Sequence, residues 1–190
     1  MIDREAARVA IAEFLRALGH DPSRNAELTE TPSRVTDAFA DELLSGYGVD
    51  VDALLSEGSE EASNTSPIVA VTGIRTATLC PHHLMPGLGT AAVVYKPGAR
   101  VLGLGTLARL VDAWARRLSL QEAITHDVVS SLMQKARARG AYCELTMVHG
   151  CLSARGACQA GAKVTTVHRA GDLSEGEILL ALRGERNETR

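Results

Sequence analysis

Aromatic side chains are scarce: they make up 3% of the sequence, with one Trp, two Phe and three Tyr, so Leu, Val and Ala have to fill the core. Cations are not in excess either. Twenty Lys and Arg face 23 Asp and Glu for a formal net charge of −3, which excludes a general nucleic-acid or polyanion binder. Any anionic ligand must then be held by a few placed cations. No apolar run reaches eighteen residues, so no segment is expected to span a membrane. The opening Met1-Ile2-Asp3-Arg4-Glu5 is charged at once and lacks the apolar stretch of a secretory signal, which predicts a cytoplasmic protein. In that setting four cysteines read as reduced thiols or metal ligands rather than as a disulfide frame. There is no internal repeat and no long low-complexity tract. What remains is a chain of 190 residues, 45% hydrophobic and 23% charged, large enough to bury a core without staples.

Residues 3–18 carry Val9, Ile11, Phe14, Leu15 and Leu18 at helical spacing, with Gly19 where a C-terminal cap belongs. A second helix is predicted over 31–46, with Thr31 as N-cap and Pro32 in its first turn. The acidic, then Ser/Asn/Thr-rich stretch 56–67 reads as a mobile connector. It divides a helical arm and connector, 1–66, from a main domain, 67–190. In the main domain β-branched runs predict strands at 68–79, 90–95 and 101–104. Helices follow at about 106–117 and 120–138, and strands resume at about 141–152 and 163–168. The order ββααββ describes an α+β layout, an antiparallel sheet with a helix pair on one face, preceded by the N-terminal arm.

Chemistry concentrates in two places. Cys80-Pro81-His82-His83 puts a thiol and an imidazole three residues apart on a turn leaving a strand, a spacing that can close on one metal ion. The second cluster is His149-Gly150-Cys151. Strand alternation puts Cys143, Leu145, Met147, His149 and Cys151 on one face, where unpaired polar groups are costly. Singly, His149 reads as a hydrogen-bonded core histidine and Cys151 as a small hydrophobe. Together with Cys80 and His83 they read better as a metal site. Cys80, His83 and Cys151 form a Cys₂His set, which in zinc proteins usually leaves a fourth position open to water. Cys143 lies more than about 25 Å from Cys151 along a straight strand, whereas Cys158 stays open as a fourth, closing ligand. At an open site His82 and His149 would flank the metal-bound water as proton carriers.

These residues resemble the GTP cyclohydrolase I family. That family carries Cys-Glu-His-His, Gly-Leu-Ser-Lys, Gln-Glu-Arg-Leu-Thr and His-x-Cys-x-x-x-Arg-Gly. Here the corresponding stretches are Cys80 to His83, Gly103-Leu104-Gly105-Thr106, Gln121-Glu122-Ala123-Ile124-Thr125, and His149 to Cys151 with Arg155-Gly156. Glu30-Thr31-Pro32-Ser33-Arg34 matches the family's Glu-Thr-Pro-x-Arg, and the resemblance covers about residues 25–173 in order. It implies a tunnelling fold, with Zn²⁺ held by Cys80, His83 and Cys151. It implies hydrolytic opening of the imidazole ring of a guanine-type substrate, GTP giving 7,8-dihydroneopterin triphosphate and formate. His82 and His149 would move protons, Glu122 with Gln121 would hold the guanine edge, and Arg109, Arg155 and a neighbouring subunit's Arg34 would hold phosphates. It further implies a homo-oligomer with active sites between subunits, whose partners are purine-type small molecules and further copies of itself. Without the resemblance, Ser119-x-x-Glu122 reads as a capping box, and Arg34 and Arg109 as solvated surface charges.

The departures fall around the substrate. The family's Glu after Cys is Pro81, its Ser-Lys pair is Gly105-Thr106, and its Arg after Gln-Glu is Ala123. Losing one charge-assisted phosphate contact costs about 1.5–3 kcal/mol, roughly ten- to over a hundredfold in affinity. The alternatives are therefore a cyclohydrolase-like enzyme acting on a less phosphorylated or modified purine, and a non-catalytic zinc-stabilised oligomer if Cys158 closes the site. Nitrile reduction, which the same fold hosts in a related family through an attacking cysteine, fits the Cys80, His83 and Cys151 set poorly.

Overall fold

The computed structural model describes residues 2–62 and 67–183, so the central part of the predicted connector, 63–66, lies outside the described residues. The chain divides into two compact units, Met1–Ser45 and Gly46–Arg190. In the first, α1 (Arg4–Ala17) starts at an Asp3 side chain that accepts from the Ala6 amide, and none of its residues is buried. Arg4 ties it to Asp37 at 3.0 Å and to Asp41. The second predicted helix is broken: α2 (Thr31–Asp37) is followed by a π-helical turn, Ala38–Leu43. Its N-cap is Glu30 rather than Thr31, and no side chain caps it. The unit boundary lies before the acidic connector, because the segment after Ser45 pairs and packs with the second unit.

That segment supplies α3 (Val51–Glu57), capped by Asp50, and β1 (Ser59–Glu61). Residues 56–61 of the predicted connector are thus built into regular structure. β1 pairs antiparallel with β4 (Arg100–Leu102), and the Arg100 guanidinium donates to the Ser59 hydroxyl and carbonyl at 2.6 Å each. The main sheet holds β2 (Val69–Leu79), β3 (Pro86–Lys96), β5 (Gly140–His149) and β6 (Val164–Gly171), in the order β2-β3-β5-β6 and antiparallel throughout. A bulge between Val71 and Ile74 interrupts the β2–β3 register, where Gly73 takes a left-handed φ of 67°.

One sheet face packs under α4 (Leu104–Ala115) and α5 (Gln121–Gln134), the expected helix pair. Leu107, Leu110, Val111, Ile124, Val128 and Leu132 are fully buried there, each contributing about 1.5–3 kcal/mol of transfer free energy. Two polar pairs tie this face to the helices. Thr76 Oγ1 donates to Asp112 Oδ1 at 2.7 Å across β2 and α4, and Trp114 Nε1 donates to Ser131 Oγ at 3.0 Å across α4 and α5. α5 stops short of the predicted 138 because Arg137 turns left-handed, φ 53°.

The other sheet face is not left bare. α7 (Glu175–Ala181), which periodicity does not reveal, packs Ile178 near Ala92, Val94 and Tyr142. Its start is a capping box: the Ser174 hydroxyl and amide both meet the Glu177 carboxylate. The Ser174-x-x-Glu177 spacing is the sequence signal for it.

Candidate active site

The β2–β3 connection is a tight turn closed by Cys80 N donating to Met85 O at 3.0 Å and Leu84 N donating to Cys80 O at 2.9 Å. Leu84 pays for the reversal with a left-handed φ of 52°, a conformation that costs a non-glycine residue about 1 kcal/mol. The turn brings Cys80 Sγ within 3.6 Å of His83 Nδ1. At the far strand the prediction needs correcting. β5 ends at His149, opposite Gly87, and the chain folds into a short helical turn, α6 (Gly150–Ser153). Cys143, Leu145 and Met147 do face the core, but Cys151 sits on α6 rather than on the strand face. The helical turn delivers it to the other two ligands: the donor atoms of Cys80, His83 and Cys151 all lie within 4.8 Å of one another.

This donor set fits a borderline-soft cation. Two thiols and an imidazole converge, and burial, then the adjacent Cys80 sulfur, holds the Cys151 thiol above its usual range. A bound divalent ion would supply the missing countercharge and displace the thiol protons. Among the described residues no further Cys, His or acid joins the cluster. Cys143 is fully buried, its thiol pushed up to about 12 by burial, and it takes no part. Cys158 is exposed with a left-handed φ of 53° and lies outside the cluster, which therefore offers three candidate donors among the described residues.

Beside the cluster is a cavity of about 270 Å³ whose wall includes Cys80, Pro81, Gln121, Glu122, His149 and Cys151. Glu122 does not serve as a cap. The N-cap of α5 is Leu120, which offers no side-chain cap, and Ser119 Oγ turns to Leu120 O at 3.4 Å, leaving the Glu122 carboxylate exposed on the cavity wall. Gln121, expected to share the guanine edge, is 3% exposed and engaged within the chain. Its amide donates to Leu145 O at 2.6 Å and Val164 O at 2.9 Å, and its oxygen meets His149 Nε2 at 2.7 Å.

The remaining predicted residues are dispersed. His82 is exposed on the turn, its ring edge-on to His83 at 6.2 Å, and it does not line the cavity. Arg155 is exposed and donates to His83 Nε2 at 2.9 Å, one guanidinium away from the ligand cluster. Arg109 lines a different cavity of about 390 Å³ with Glu57, Glu60, Gly105 and Thr106. Thr106 does not face a ligand there. It is 2% exposed and its hydroxyl donates to Gly58 O at 3.3 Å, closing α4 onto the end of α3. Arg34 is an exposed residue of the N-terminal unit.

Two residues near His149 escape sequence reasoning. Gly87 sits between Thr78 and His149 in the ladder, and a Cβ there would lie 3.0 Å from His149 Nδ1 and 3.3 Å from Thr78 Cγ2. Thr78 Oγ1 is buried without a hydrogen-bond partner, an arrangement that costs about 1–3 kcal/mol unless water or a ligand meets it. The register that brings these side chains together is tertiary information.

Sheet order and site together define a class: a tunnelling-fold enzyme with an open Cys₂His metal-type centre beside a cavity that offers a carboxylate and an imidazole. The family model for GTP cyclohydrolase I matches residues 7–180, and the chain belongs to that family. It is 39% identical over 173 residues to GTP cyclohydrolase 1 of Leifsonia xyli subsp. xyli, covering 91% of this chain and 90% of that one. Against the Allorhizobium ampelinum enzyme of the same name identity is 40% over 170 residues, covering 90% and 84%. Against that of Rickettsia bellii it is 32% over 172 residues, covering 90% and 88%. A solved archaeosine synthase QueF-Like structure overlays on 58% of the chain with a TM-score of 0.48 and 17% identity, too loosely to bear on fold or function. No helix among the described residues is long and apolar enough to cross a membrane.

Proposed function

We propose that the protein is a zinc-dependent cyclohydrolase that opens the imidazole ring of GTP, releasing formate and yielding 7,8-dihydroneopterin triphosphate. The observation that carries this reading is the convergence of Cys80, His83 and Cys151 at the edge of a cavity walled by Glu122 and His149. Cys80, His83 and Cys151 would hold Zn²⁺, which when bound would supply an acidified water for attack on the ring carbon between the two imidazole nitrogens. Glu122 accepts from the ring N–H and exocyclic amine of guanine, and orients the base. His149 on the cavity wall and His82 on the adjoining turn move protons as the ring opens and formate leaves. Arg155 binds phosphate once the anion competes it away from His83. Arg109 lines another cavity of the same chain, so it meets the same substrate only from a second copy. That arrangement supports a homo-oligomer with sites between subunits, to which Arg34 contributes, and we place it in the cytoplasm.

A second reading has its own support. The cavity around Arg109 carries Glu57 and Glu60, and Thr106 is turned inward to Gly58 O. A triphosphate finds fewer cations there, which favours a guanine compound with fewer phosphates. The test is turnover by the zinc-loaded protein on GTP, GMP, guanosine and guanine. Formate release reports ring opening, and fluorescence after oxidation reports pterin formation. Selective conversion of GTP supports the first reading, activity confined to substrates lacking the triphosphate supports the second, and no formate from any of the four would sink both.

A further inference from the structure

His149 has two ring nitrogens, and proton transfer requires one to carry hydrogen and the other a lone pair. The partner that decides is Gln121. Its amide nitrogen lies 2.6 Å from Leu145 O and 2.9 Å from Val164 O. Both neighbours are carbonyl oxygens and only accept, so the NH₂ group must occupy this end of the side chain. Rotating the amide by 180° would set its oxygen against two carbonyls and leave both without a donor, in a position only 3% exposed. The amide oxygen is thereby fixed toward His149 Nε2 at 2.7 Å. An amide oxygen cannot donate, so Nε2 carries a proton, and in the neutral ring Nδ1 is the accepting nitrogen. Nδ1 lies on the side of Gly87, where the absence of a side chain leaves it room.

We propose that Gln121 is a positioning residue: it sets the Nε2–H tautomer of His149 and anchors the ring to the backbone of β5 and β6, so that Nδ1 is the proton-accepting atom of the site. This assigns Gln121 a role through His149 rather than on the guanine edge. The catalytic consequence rests on the cyclohydrolase reading above; the tautomer itself does not.

The experiment therefore has a substrate-free arm. Zinc-loaded protein with ¹⁵N-labelled histidine is compared as wild type and Gln121→Met. The wild type is expected to give a protonated-type Nε2 and a bare Nδ1 for His149, identified by the signal lost in His149→Ala. Gln121→Met, which removes both the accepting oxygen and the amide anchor, should show both tautomers. A wild-type spectrum with the proton on Nδ1 overturns the proposal without any variant having to fold, and whether or not a guanine substrate has been found. In the second arm, Gln121→Met should lower kcat roughly ten- to a hundredfold, with zinc content kept and KM within about threefold. An unchanged kcat with a raised KM would instead mean that Gln121 binds the base, and would overturn the positioning role.

Discussion

Replacing Gly87 by alanine places a methyl group 3.0 Å from His149 Nδ1, 3.2 Å from its Cε1 and 3.3 Å from Thr78 Cγ2. Heavy atoms in comfortable contact stand about 3.5–4.0 Å apart, so the imidazole has to retreat by about 0.5 Å. The backbone raises no objection, because the φ of Gly87 is not in the left-handed region. Two stability terms oppose each other. Overpacking costs about 1–3 kcal/mol, and alanine returns about 0.4–1 kcal/mol by narrowing the unfolded ensemble. The net loss, about 1–2 kcal/mol, lowers Tm by only a few degrees in a chain of this size. Catalysis should suffer more. A displacement of 1 Å at a reacting group can cost about a hundredfold, so half of that predicts roughly a tenfold fall in kcat. Zinc content should not change, since Gly87 is not in the ligand cluster. Formate release under saturating substrate, metal analysis and a thermal melt make the assay, with Gly176→Ala as the control, because a Cβ at 176 meets nothing within 4 Å. Wild-type turnover in Gly87→Ala would refute the reasoning that the position of the His149 ring is tuned by the gap beside it.

Cys151→Ala should abolish stoichiometric zinc while His149→Ala keeps it and loses at least about a hundredfold in ring opening; metal analysis beside formate release separates the two roles. Thr106→Val removes one hydrogen bond to Gly58 O without changing shape, and should cost about 0.5–1.5 kcal/mol in urea denaturation but leave binding of a non-reacting GTP analogue unchanged. The Ser174 amide first, then the Lys96 ammonium and the Ser174 hydroxyl, hold Glu177 down at about 2. A carboxyl depressed by folding stabilises the native state above its unfolded pKa, and that contribution fades as pH falls toward the folded value. Glu177→Gln should therefore lower Tm at neutral pH, with the gap to wild type closing between the ordinary glutamate range and about 2.

The helix pair and the four long strands were legible because each buries one face, and burial writes a period of 3.6 or 2 into the sequence. Where the reading departed from the structure, the cause is local and physical. β1 is Ser59-Glu60-Glu61, whose composition reads as connector; it is a strand because β4 offers it an edge and Arg100 closes the pair. Cys151 left its predicted strand face because β5 ends opposite Gly87 and coils into α6, an event that alternation cannot foresee. α7 is short, with only Ile178 fully buried, so its helical period is faint even though its capping box is explicit.

The candidate metal ligands and the residues placed around them differ in how they are encoded. Cys80, His83 and Cys151 are rare, reactive residue types, and their chemistry advertises them before any contact is known. Gln121 has no such mark. Adjacent to Glu122 it reads as a second contact for the same base, and only the two carbonyls of Leu145 and Val164 reverse that reading. Those acceptors are backbone atoms, present at nearly every position, and what selects them is the register of β5 and β6 against the first turn of α5. Gly87 and Thr78 belong to the same category, since their meaning comes from lying across from His149. On the function proposed above, the family's motif residues mark which atoms bind and react, while the tautomer and placement of the His149 imidazole are written in strand pairing. Substitutions in that pairing, although they touch neither metal nor substrate, are the ones that should separate kcat from zinc content.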